Sequence, residues 1–590
     1  MAAAMPFDAP FVLLDDARDG GAPARLYRDP QTVIVAATND EVAPALAQVR
    51  AGIAAGRHAA GFLSYEAGAA FEPRAPVRAT ASPLAWFGLF ERCETIDVVA
   101  WLPDPAGAWL GPPEPSLSRA DYDAAFTAAQ ALIAAGDIYQ VNLTFRADVR
   151  TAGDPLAIYA AVRARARAGW GAIVHTKHET LLSFSPELFF RLEAGALTCR
   201  PMKGTTRRDA DATRDAAAAQ ALGADEKQRA ENLMIVDLMR NDLSRVAVPG
   251  SVYVPELFAV EAYPTVHQMT STVTARLALG KDAVDVLAAL FPCGSITGAP
   301  KVRAMQVIGD VEDSPRGAYT GAIGAIAPGG DAQFNVAIRT LLIGERGATL
   351  GLGGGIVADS RADAEWDEAL AKGAFLTHGQ REPDLIETMA FDPEIGIALI
   401  ERHLQRMKDS AEAFGFAFDR HEARNELQAA TFRLRRPAKV RLLAARSGRI
   451  AIEVAAIPIA PAGPMRVAVV PLPVSPADWR LRHKTSDRAF YDAARCASGA
   501  DEVAFVDPAG FLTEGSFTSI FVERDGMLLT PPLARGLLPG VLRAELIESG
   551  RAVERDLSPD DLDGGFFVGN ALRNLLPAVV AVAASQDRSL

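Results

Sequence analysis

A polar stretch near the middle of the chain constrains the fold more than any other feature. Apolar segments alternate with polar ones from Phe11 to about Thr377, and His378 to Asp384 then interrupts them. A proline disfavours helix in the residue before it, and this composition is typical of a linker. The sequence therefore predicts one domain over residues 1–377, a linker over 378–384 and a second domain over 385–590.

Length and composition are those of a soluble globular enzyme. The chain has 590 residues, of which 49% are hydrophobic and 23% are charged, and such a length is too great for a single small core. The net charge of −13 leaves no basic stripe to replace phosphate counterions, so we expect no nucleic-acid partner. Four scattered cysteines lack metal or disulfide spacing, which predicts a reducing compartment.

The sequence shows no segment that resembles a targeting signal or a membrane span. The segment Met1 to Pro6 lacks a basic region followed by an apolar core, and no apolar run reaches the length needed to cross a bilayer. These observations predict a cytoplasmic protein with no membrane association.

Local signals predict several elements. Ser118 can cap a helix from about Arg119 to Ala135, and Gly136 suits the left-handed turn that ends a helix. Residues 137–144 then read as the start of a strand. The proline- and glycine-rich stretch from Pro103 to Pro115 predicts a long surface loop inside the first domain.

Two further helices carry acidic residues. Apolar spacing predicts a helix from about Asp225 to Leu243, with Glu231 in its early part. Ser360 can cap another helix, on which Glu365, Glu368 and Lys372 share one face. That face has two interpretations, an ordinary exposed ion pair or a ligand site.

A triple glycine, Gly353 to Gly355, precedes the second of these helices and favours the ligand site. Consecutive glycines let a carboxylate approach backbone N–H groups closely.

Lys203 and Glu187 form the most informative pair. Lys203 lies in Pro-Met-Lys-Gly-Thr, and Glu187 lies in the preceding Ser-Pro-Glu. An amine and a carboxylic acid on adjacent segments supply a nucleophile and a proton carrier for displacing a poor leaving group. The alternative is a surface lysine in a turn.

Together these segments resemble the chorismate-utilising enzymes over essentially all of residues 10–377. The resemblance implies a mixed α/β domain with large sheets flanked by helices. It is carried by residues 137–144, 185–190, 230–237, 294–301 and 353–360.

The resemblance also implies a metal ion and a set of substrate contacts. A Mg²⁺ ion would be held by Glu231 and Glu368, with Glu365 close by, and would bind the ring carboxylate of chorismate. Arg339, Tyr319 and Lys372 would receive the second carboxylate. The other residues implied to contact the substrate are Gln140, Thr205, His267, Thr297, Gly354 and Gly355.

Two positions distinguish among members of the family. Gln140 stands where the water-adding members carry a lysine base, and Lys203 stands where anthranilate-forming members typically carry alanine. The pattern resembles the members that aminate chorismate at C4 through a covalent bond to Lys203, with Glu187 protonating the departing hydroxyl; anthranilate synthesis stays open. Because no segment has the G-x-C-x-G turn of a glutamine amidotransferase, we expect a separate amidotransferase subunit to supply ammonia.

The chain from about 385 to 582 resembles the fold-type IV pyridoxal-phosphate enzymes, which implies a two-part α+β domain and a possible homodimer through it. Lys484 matches the lysine that attaches the cofactor, Glu514 the acid facing its pyridine nitrogen, and Arg406 a phosphate ligand. Gly540, Val541 and Leu542, at a helix start after Pro539, would bind the same phosphate. The remaining implied pocket residues are Ser519, Asn570 and Ala571, with Arg573 for a substrate carboxylate.

The two halves together imply synthesis of para-aminobenzoate, in which the second domain eliminates pyruvate from the aminated product of the first. Two alternatives remain: a branched-chain or D-amino-acid type of aminotransferase, or a non-catalytic module. Thr518-Ser519 departs from the Ser-Asn or Ala-Asn of many relatives and bears on substrate choice.

Overall fold

The structure is a computed structural model that describes residues 9–76, 78–263, 266–344, 347–459 and 461–581. Residues 1–8, where the sequence predicts no targeting segment, lie outside the described residues. The chain divides into two compact units, and the break at Gly379 falls in the stretch that the sequence predicts to be a linker. The first unit comprises Met1–Pro105, Leu110–Val149 and Pro155–Gly379, and the second comprises Ala106–Trp109, Arg150–Asp154 and Gln380–Leu590.

Two large antiparallel sheets build the first unit. The strands of the first sheet are, in spatial order, Gly298–Ala299, Gln140–Val149, Gly347–Ile356, Thr340–Gly344, Thr180–Ser185, Trp170–His175, Phe11–Asp15, Ala24–Arg28 and Glu94–Ile96, with Glu114–Pro115 beside Gln140–Val149. The strands of the second sheet are Met202–Arg207, Val266–Arg276, Ala196–Arg200, Leu188–Glu193, Ala332–Val336, Ala322–Ile326, His58–Leu63, Ala85–Phe90 and Thr32–Ala36, with Tyr253–Ala262 beside Val266–Arg276.

The core of this unit lies where apolar faces of the two sheets meet. Val12 and Val174 from the first sheet and Phe62 and Phe90 from the second are buried in one cluster. Packing the two sheets face to face removes a large apolar area from water, and this burial is the main contribution to the stability of such a fold.

Helices flank the sheets of the first unit and confirm the mixed α/β fold. The α-helices are Asn39–Ala54, Gly68–Phe71, Val98–Trp101, Arg119–Ala134, Pro155–Ala166, Ala212–Ala224, Glu226–Ser244, Ala283–Leu290, Lys301–Val311 and Ala362–Gly373. The 3-10 turns are Tyr65–Ala67, Gly294–Ile296 and Ala374–Leu376, with Pro105–Gly107 at a boundary between the units.

Most local predictions are confirmed. The Ser118 hydroxyl accepts a hydrogen bond from Asp121 N at 3.2 Å at the start of Arg119–Ala134, and Gly136 adopts φ +80° after it. Residues 140–149 form a strand, and the helix Glu226–Ser244 carries Glu231 in its second turn.

Two local predictions are wrong. The helix Ala362–Gly373 has Arg361 rather than Ser360 at its N-cap, because the Ser360 hydroxyl instead donates to Glu365 Oε1 at 2.6 Å. The stretch from Pro103 to Pro115 is not a surface loop of the first unit: it contains the strand Ala108–Leu110, and Trp109 is buried among apolar side chains of the second unit.

The second unit contains a small antiparallel sheet and a larger mixed one. The small sheet has the order Gly396–Ile397, Leu385–Asp392, Ala438–Ala444 and Ile450–Ala456, and Thr151–Gly153 pairs with Ala108–Leu110 in a separate ribbon. The larger sheet has the order Glu502–Val506, Met465–Pro471, Asn574–Val580, Phe566–Asn570, Ser519–Arg524, Met527–Thr530 and Ala552–Glu554.

Helices cover parts of both sheets in this unit. The α-helices are Ile400–Phe414, Arg420–Thr431, Ala489–Ser498 and Val541–Glu548, and the 3-10 turns are Trp479–Leu481, Leu533–Arg535 and Pro559–Leu562. Across the described part of the whole chain, no helix combines the length and apolar character needed to cross a membrane.

Candidate active sites

Lys203 and Glu187 converge in the first unit. Lys203 lies on the strand Met202–Arg207, and Glu187 lies in the turn between Thr180–Ser185 and Leu188–Glu193. Ser295 and the main-chain N–H of Met202, the residue before Lys203, both interact with the Glu187 carboxyl group and favour its charged form, while Glu187 Oε1 has no hydrogen-bond partner among the described residues. The structure therefore brings the predicted nucleophile and the predicted acid to one place.

Burial moves both groups toward their neutral forms. It raises the pKa of Glu187 to about 7, against the opposing effects of Ser295 and the Lys203 charge. Burial also lowers the pKa of Lys203, although the carboxylate of Glu231 opposes that shift. A neutral amine and a protonated carboxyl are the forms that nucleophilic attack and proton donation require.

Gln140 lies beside this pair without a partner of its own. It is fully buried, yet neither Nε2 nor Oε1 has a hydrogen-bond partner among the described residues. A buried amide left unsatisfied costs about 1–3 kcal/mol. A bound ligand with a donor and an acceptor would remove that cost.

The triple glycine separates the two lysines of the site. A methyl group added at Gly355 would lie 2.5 Å from Gln140 Nε2 and 3.0 Å from Lys203 Nζ, and one added at Gly354 would lie 3.3 Å from Lys372 Nζ. Both glycines pair with the strand Gln140–Val149. The absence of side chains there leaves the surface between the lysines open to a ligand.

Gly355→Ala tests this surface. We expect kcat/KM for chorismate to fall by at least about tenfold, because the new methyl group displaces Gln140 and Lys203 by tenths of an ångström or more. Gly344→Ala is the matched control, since a methyl group there meets nothing within 4 Å. Equal steady-state kinetics for the two variants would contradict the expectation.

Acidic side chains lie at one side of this surface. Burial raises the pKa values of Glu231 and Glu365; the Glu365 charge adds to the shift of Glu231, and the Glu368 charge adds to the shift of Glu365. Lys372 lowers the pKa of Glu368, to which it is paired at 2.9 Å, and donates to Gly353 O at 3.0 Å.

The predicted metal ligands are neighbours but do not form a closed cage. Within the described residues, no three acidic, histidine or cysteine side chains are gathered closely enough to hold a metal ion. Two carboxylates with water are sufficient for Mg²⁺, a hard ion that retains part of its hydration shell. The repulsion of Glu365 with its neighbours Glu231 and Glu368 fits such an ion, because a dication would relieve it.

The Arg339 side chain is another group of this unit that is suited to a ligand. Its main chain adopts φ +50°, a region that side-chain-bearing residues rarely occupy. Burial lowers the pKa of its guanidinium, which contacts the Phe375 ring at 6.0 Å and has no hydrogen bond or ion pair within the described residues. A buried cation of this kind is suited to a ligand carboxylate.

Four other predicted contacts have partners elsewhere in the unit. His267 Nε2 lies 2.9 Å from Asp215 Oδ1, and Thr205 Oγ1 donates to Gln268 Oε1 at 2.9 Å. The Thr297 hydroxyl donates to main-chain carbonyls of residues 293 and 294. The Tyr319 ring lies against Gly351 and under the Arg146 guanidinium at 5.7 Å, and burial raises the pKa of its hydroxyl to about 12.

In the second unit, Lys484 lies in a segment tied to the small sheet. Its carbonyl oxygen accepts from Ile386 N at 2.9 Å, and Thr485 bridges Leu385. Burial and the Arg406 charge lower the pKa of Lys484 to about 7, opposed by Glu387. The amine is therefore partly neutral near neutral pH.

Arg406 is held more firmly than the sequence indicates. Its Nε and Nη2 donate to Glu387 at 2.8 and 2.7 Å, and its Nη1 donates to Pro539 O at 2.9 Å. His403 Nδ1 also lies 2.6 Å from Glu387, and these two neighbours hold the pKa of Glu387 well below its usual range against the effect of burial. Sequence reasoning missed Glu387 and His403, since nothing in their spacing indicates a shared partner.

The Pro539 contact places Arg406 beside the start of the helix Val541–Glu548. Gly540 is the N-cap of that helix, as predicted, and a methyl group there would lie 2.6 Å from Ser519 Oγ. A helix N-terminus of this kind, next to an arginine and without a side chain in the way, is suited to a phosphate group.

Glu514 lies in the same unit with its own orienting partner. Burial raises its pKa to about 7, its Oε1 accepts from the Tyr491 hydroxyl, and its Oε2 accepts from Leu538 N at 3.2 Å. Glu514 therefore lies close to the start of the helix Val541–Glu548, because Leu538 is only two residues before Gly540. Like Glu387, Tyr491 is a functional partner that sequence reasoning missed.

The predicted pocket residues Asn570, Ala571 and Arg573 lie at one turn, between the strands Phe566–Asn570 and Asn574–Val580. Asn570 Nδ2 donates to Phe517 O at 3.0 Å and its Oδ1 accepts from the main chain of Leu572 and Arg573. The Arg573 guanidinium lies 4.8 Å from the Phe517 ring centroid, and Ala571 and Leu542 are buried. Asn570 thus orders the turn that carries Arg573.

Comparisons with known proteins agree with both halves of this description. Residues 9–378 match the sequence model of the chorismate binding enzymes, and residues 384–580 match that of the class IV aminotransferases. Because the first match spans more than half of the chain, the protein belongs to the chorismate binding enzyme family. It carries a class IV aminotransferase domain after the chorismate-binding domain.

The similar proteins include two synthases. The chain is 46% identical over 263 residues to aminodeoxychorismate synthase component 1 of Klebsiella aerogenes, over 45% of this chain and 58% of that protein. It is 44% identical over 257 residues to the protein of the same name from Escherichia coli (strain K12), over 44% and 57% of the two chains. The chain thus spans less than two thirds of the length of these relatives.

A solved structure shares the fold of the first unit. Anthranilate synthase component I from Streptococcus pneumoniae TIGR4 superposes with a TM-score of 0.53 at 25% identity, over 64% of this chain and 94% of that chain.

Proposed function

We propose that the first unit converts chorismate and ammonia to 4-amino-4-deoxychorismate, and that the second releases pyruvate from this product to give 4-aminobenzoate, a folate precursor. The observation that carries the proposal is the pair formed by the half-buried Lys203, with its lowered pKa, and the buried Glu187, with a pKa of about 7. The sequence identity of 46% and 44% to two proteins named aminodeoxychorismate synthase component 1 supports the proposal.

The pair can run two successive displacements. Lys203 Nζ attacks C2 of chorismate, the ring double bonds shift, and the C4 hydroxyl leaves as water with the proton of Glu187. Ammonia then attacks C4, the double bonds return, and the Lys203 nitrogen departs while Glu187 recovers a proton. The sum is chorismate plus ammonia giving 4-amino-4-deoxychorismate plus water, and burial favours the neutral forms of Lys203 and Glu187 with which the first step begins.

Binding groups around the pair suit the substrate. The buried Arg339 guanidinium would pair with one carboxylate, and a Mg²⁺ ion held by Glu231 and Glu368, near Glu365, would neutralise the other. The unpaired amide of Gln140 would hydrogen-bond at the reacting ring. Gln140 has no basic nitrogen to activate water, and ammonia is a nucleophile without such a base.

A direct experiment separates this function from anthranilate synthesis. The purified chain is incubated with chorismate, ammonium and Mg²⁺, and the aromatic product is identified by chromatography. We expect the para isomer of aminobenzoate. The ortho isomer would identify an anthranilate synthase and overturn the proposal for the first unit.

Glu187→Gln tests the proton donor. We expect kcat of the first reaction to fall by about 10²–10⁴-fold, because the amide cannot protonate the leaving hydroxyl. In the unmodified chain kcat should decline as the pH rises through about 7, since a raised pKa means that the required acid form is lost above that value. The variant should lose that decline.

Glu193→Gln is the matched control for this prediction, because Glu193 is an exposed carboxylate of the adjoining strand. A Glu187→Gln chain that keeps both the rate and the pH profile of the unmodified protein would exclude Glu187 as the acid.

Ammonia must be delivered to the first unit. We assign this to a separate glutamine amidotransferase subunit, because the sequence has no G-x-C-x-G nucleophile turn. Ammonium salts should support amination by the purified chain and glutamine alone should not. Turnover with glutamine as the sole nitrogen source would contradict the assignment.

The second unit fits pyridoxal phosphate. The Gly540 helix start and Arg406 suit its phosphate, Glu514 suits its ring nitrogen, and Lys484 suits its aldehyde. When bound, the cofactor supplies an electron sink. Lys484 would take and return protons at the substrate while Glu514, oriented by Tyr491, faces the ring nitrogen.

The second unit has two alternative functions: it could act as an aminotransferase, or it could be a non-catalytic module. Mixing the protein with amino donors and 2-oxoglutarate distinguishes them, because the proposal expects pyruvate release without keto-acid exchange. Exchange would favour the aminotransferase, and a protein that binds no pyridoxal phosphate would favour the module.

A further inference from the structure

We propose that Trp109, which lies in the amino-terminal part of the chain, positions the cofactor lysine of the second unit; this inference rests on the proposed function of that unit. Trp109 belongs to the segment Ala106–Trp109, which is part of the second unit, and its side chain is 2% exposed. The class IV aminotransferase match begins only at residue 384. The side chain therefore comes from outside the matched domain.

A chain of ring contacts leads from Trp109 toward Lys484. The Trp109 and Phe414 ring centroids are 4.7 Å apart, and the Phe414 and His483 centroids are 4.5 Å apart, both in edge-to-face geometry. His483 immediately precedes Lys484. Such contacts between buried rings define side-chain orientation as well as contributing to stability.

A main-chain contact from the same segment holds the turn before His483. Trp479 Nε1 donates to Ala106 O at 3.1 Å, and His483 N donates to Trp479 O at 3.2 Å. His483 Nδ1 lies 3.0 Å from Ser410 Oγ. Residues 106–109 thus contact the segment before Lys484 in two ways, through the Ala106 hydrogen bond and through the Trp109 ring.

The segment Arg150–Asp154, which also belongs to the second unit, packs against the same end of the helix Ile400–Phe414. Ala152 lies against the cluster that contains Trp109 and Phe414, and the Arg150 guanidinium lies against Gly415. Both segments therefore surround the end of the helix Ile400–Phe414, from which Phe414 and Ser410 hold His483.

The position of this segment bears directly on the chemistry. The Lys484 amine must reach both the cofactor aldehyde and the substrate protons, and an error of about 1 Å in such a group can cost about 10²-fold in rate. Catalytic groups are held at that precision by the packing of the residues behind them. Trp109 is such a positioning residue.

The test uses the full chain with Trp109→Ala, Trp109→Phe and Trp479→Phe. Pyridoxal phosphate is titrated, its attachment to Lys484 is fixed with borohydride and located by mass spectrometry, and the pH midpoint of the bound cofactor's visible absorbance is measured. We expect Trp109→Ala to bind the cofactor at least about tenfold more weakly with a shifted midpoint. Trp109→Phe should stay close to the unmodified protein, and Trp479→Phe should shift in the same direction by less.

Leu562→Ala is the control for a general loss of packing, because Leu562 is buried in a different cluster of the same unit. It should lower the unfolding temperature without moving the midpoint. If Trp109→Ala does not fold, Trp479→Phe decides, since it keeps the Trp109–Phe414–His483 contacts, removes the hydrogen bond to Ala106 and leaves a smaller ring against Phe414.

Unchanged affinity and midpoint in Trp109→Ala, or in Trp479→Phe where the first variant fails to fold, would overturn the inference alone. An equal midpoint shift in Leu562→Ala would also overturn it. An unmodified chain without cofactor on Lys484 would instead remove the proposed second reaction, and the inference with it.

Discussion

A Lys203→Ala chain should lose 4-amino-4-deoxychorismate synthesis by about 10³-fold or more, while its second unit still releases pyruvate from added 4-amino-4-deoxychorismate. Alanine supplies no nucleophile, and Glu187 alone cannot activate ammonia for a direct displacement of hydroxyl. Burial lowers the pKa of Lys203, which favours the neutral amine that attack requires. Product formation from chorismate and ammonium, followed by chromatography, measures the loss.

Lys281→Ala is the matched control, because Lys281 is an exposed lysine of the same unit that pairs with Asp285 at 3.6 Å. It should leave amination unchanged. Mass spectrometry of the proteolytic fragment that contains Lys203, quenched during turnover, should show the added mass of the substrate ring. Full amination by Lys203→Ala would exclude the covalent route.

A Lys484→Ala chain should accumulate 4-amino-4-deoxychorismate and release pyruvate no faster than a solution without enzyme. The reason is that the proposed reaction uses one amine both to attach the cofactor and to move the substrate protons, and burial with the Arg406 charge lowers the pKa of this amine to about 7. Pyruvate release coupled to a dehydrogenase measures the second reaction, and the amine intermediate measures the first.

Lys408→Ala is the corresponding control, since Lys408 is exposed on a helix of the same unit and pairs with Glu412 at 3.5 Å. It should retain both reactions. Normal pyruvate release by Lys484→Ala would show that this lysine is not the cofactor residue, and would leave the assignment of the first unit intact.

The two predictions are independent because the reactive groups lie in different units. Lys203 belongs to the first and Lys484 to the second. Each variant should therefore abolish one reaction and spare the other, and a mixture of the two variants should restore para-aminobenzoate formation if the intermediate is free to diffuse.

Several features of local structure could be predicted from the sequence. Helix capping by Ser118 depends on neighbouring residues only, and the glycine cap at Gly540 is likewise a local feature. Ser360 is the exception: its hydroxyl bonds to Glu365, a side chain one turn further along that competes with the capping role.

Partners distant in sequence could not be predicted. Glu387 holds both Arg406 and His403, and the Tyr491 hydroxyl donates to Glu514. Such pairings depend on which strand and helix faces meet, and the spacing of residues along the chain does not record that. Likewise Trp109 looks like a loop residue in the sequence but is part of the core of the second unit.

The sequence by itself determined the order of the two domains and the residues proposed here as the nucleophile and acid of the first and the lysine and acid of the second, because residue type and local spacing carry that information. Only the tertiary structure decided the protonation preferences of Lys203, Glu187 and Lys484, which follow from burial. It also decided which residues hold them in place. Desolvation and long-range packing arise when distant segments come together, and they have no counterpart in the linear order of residues.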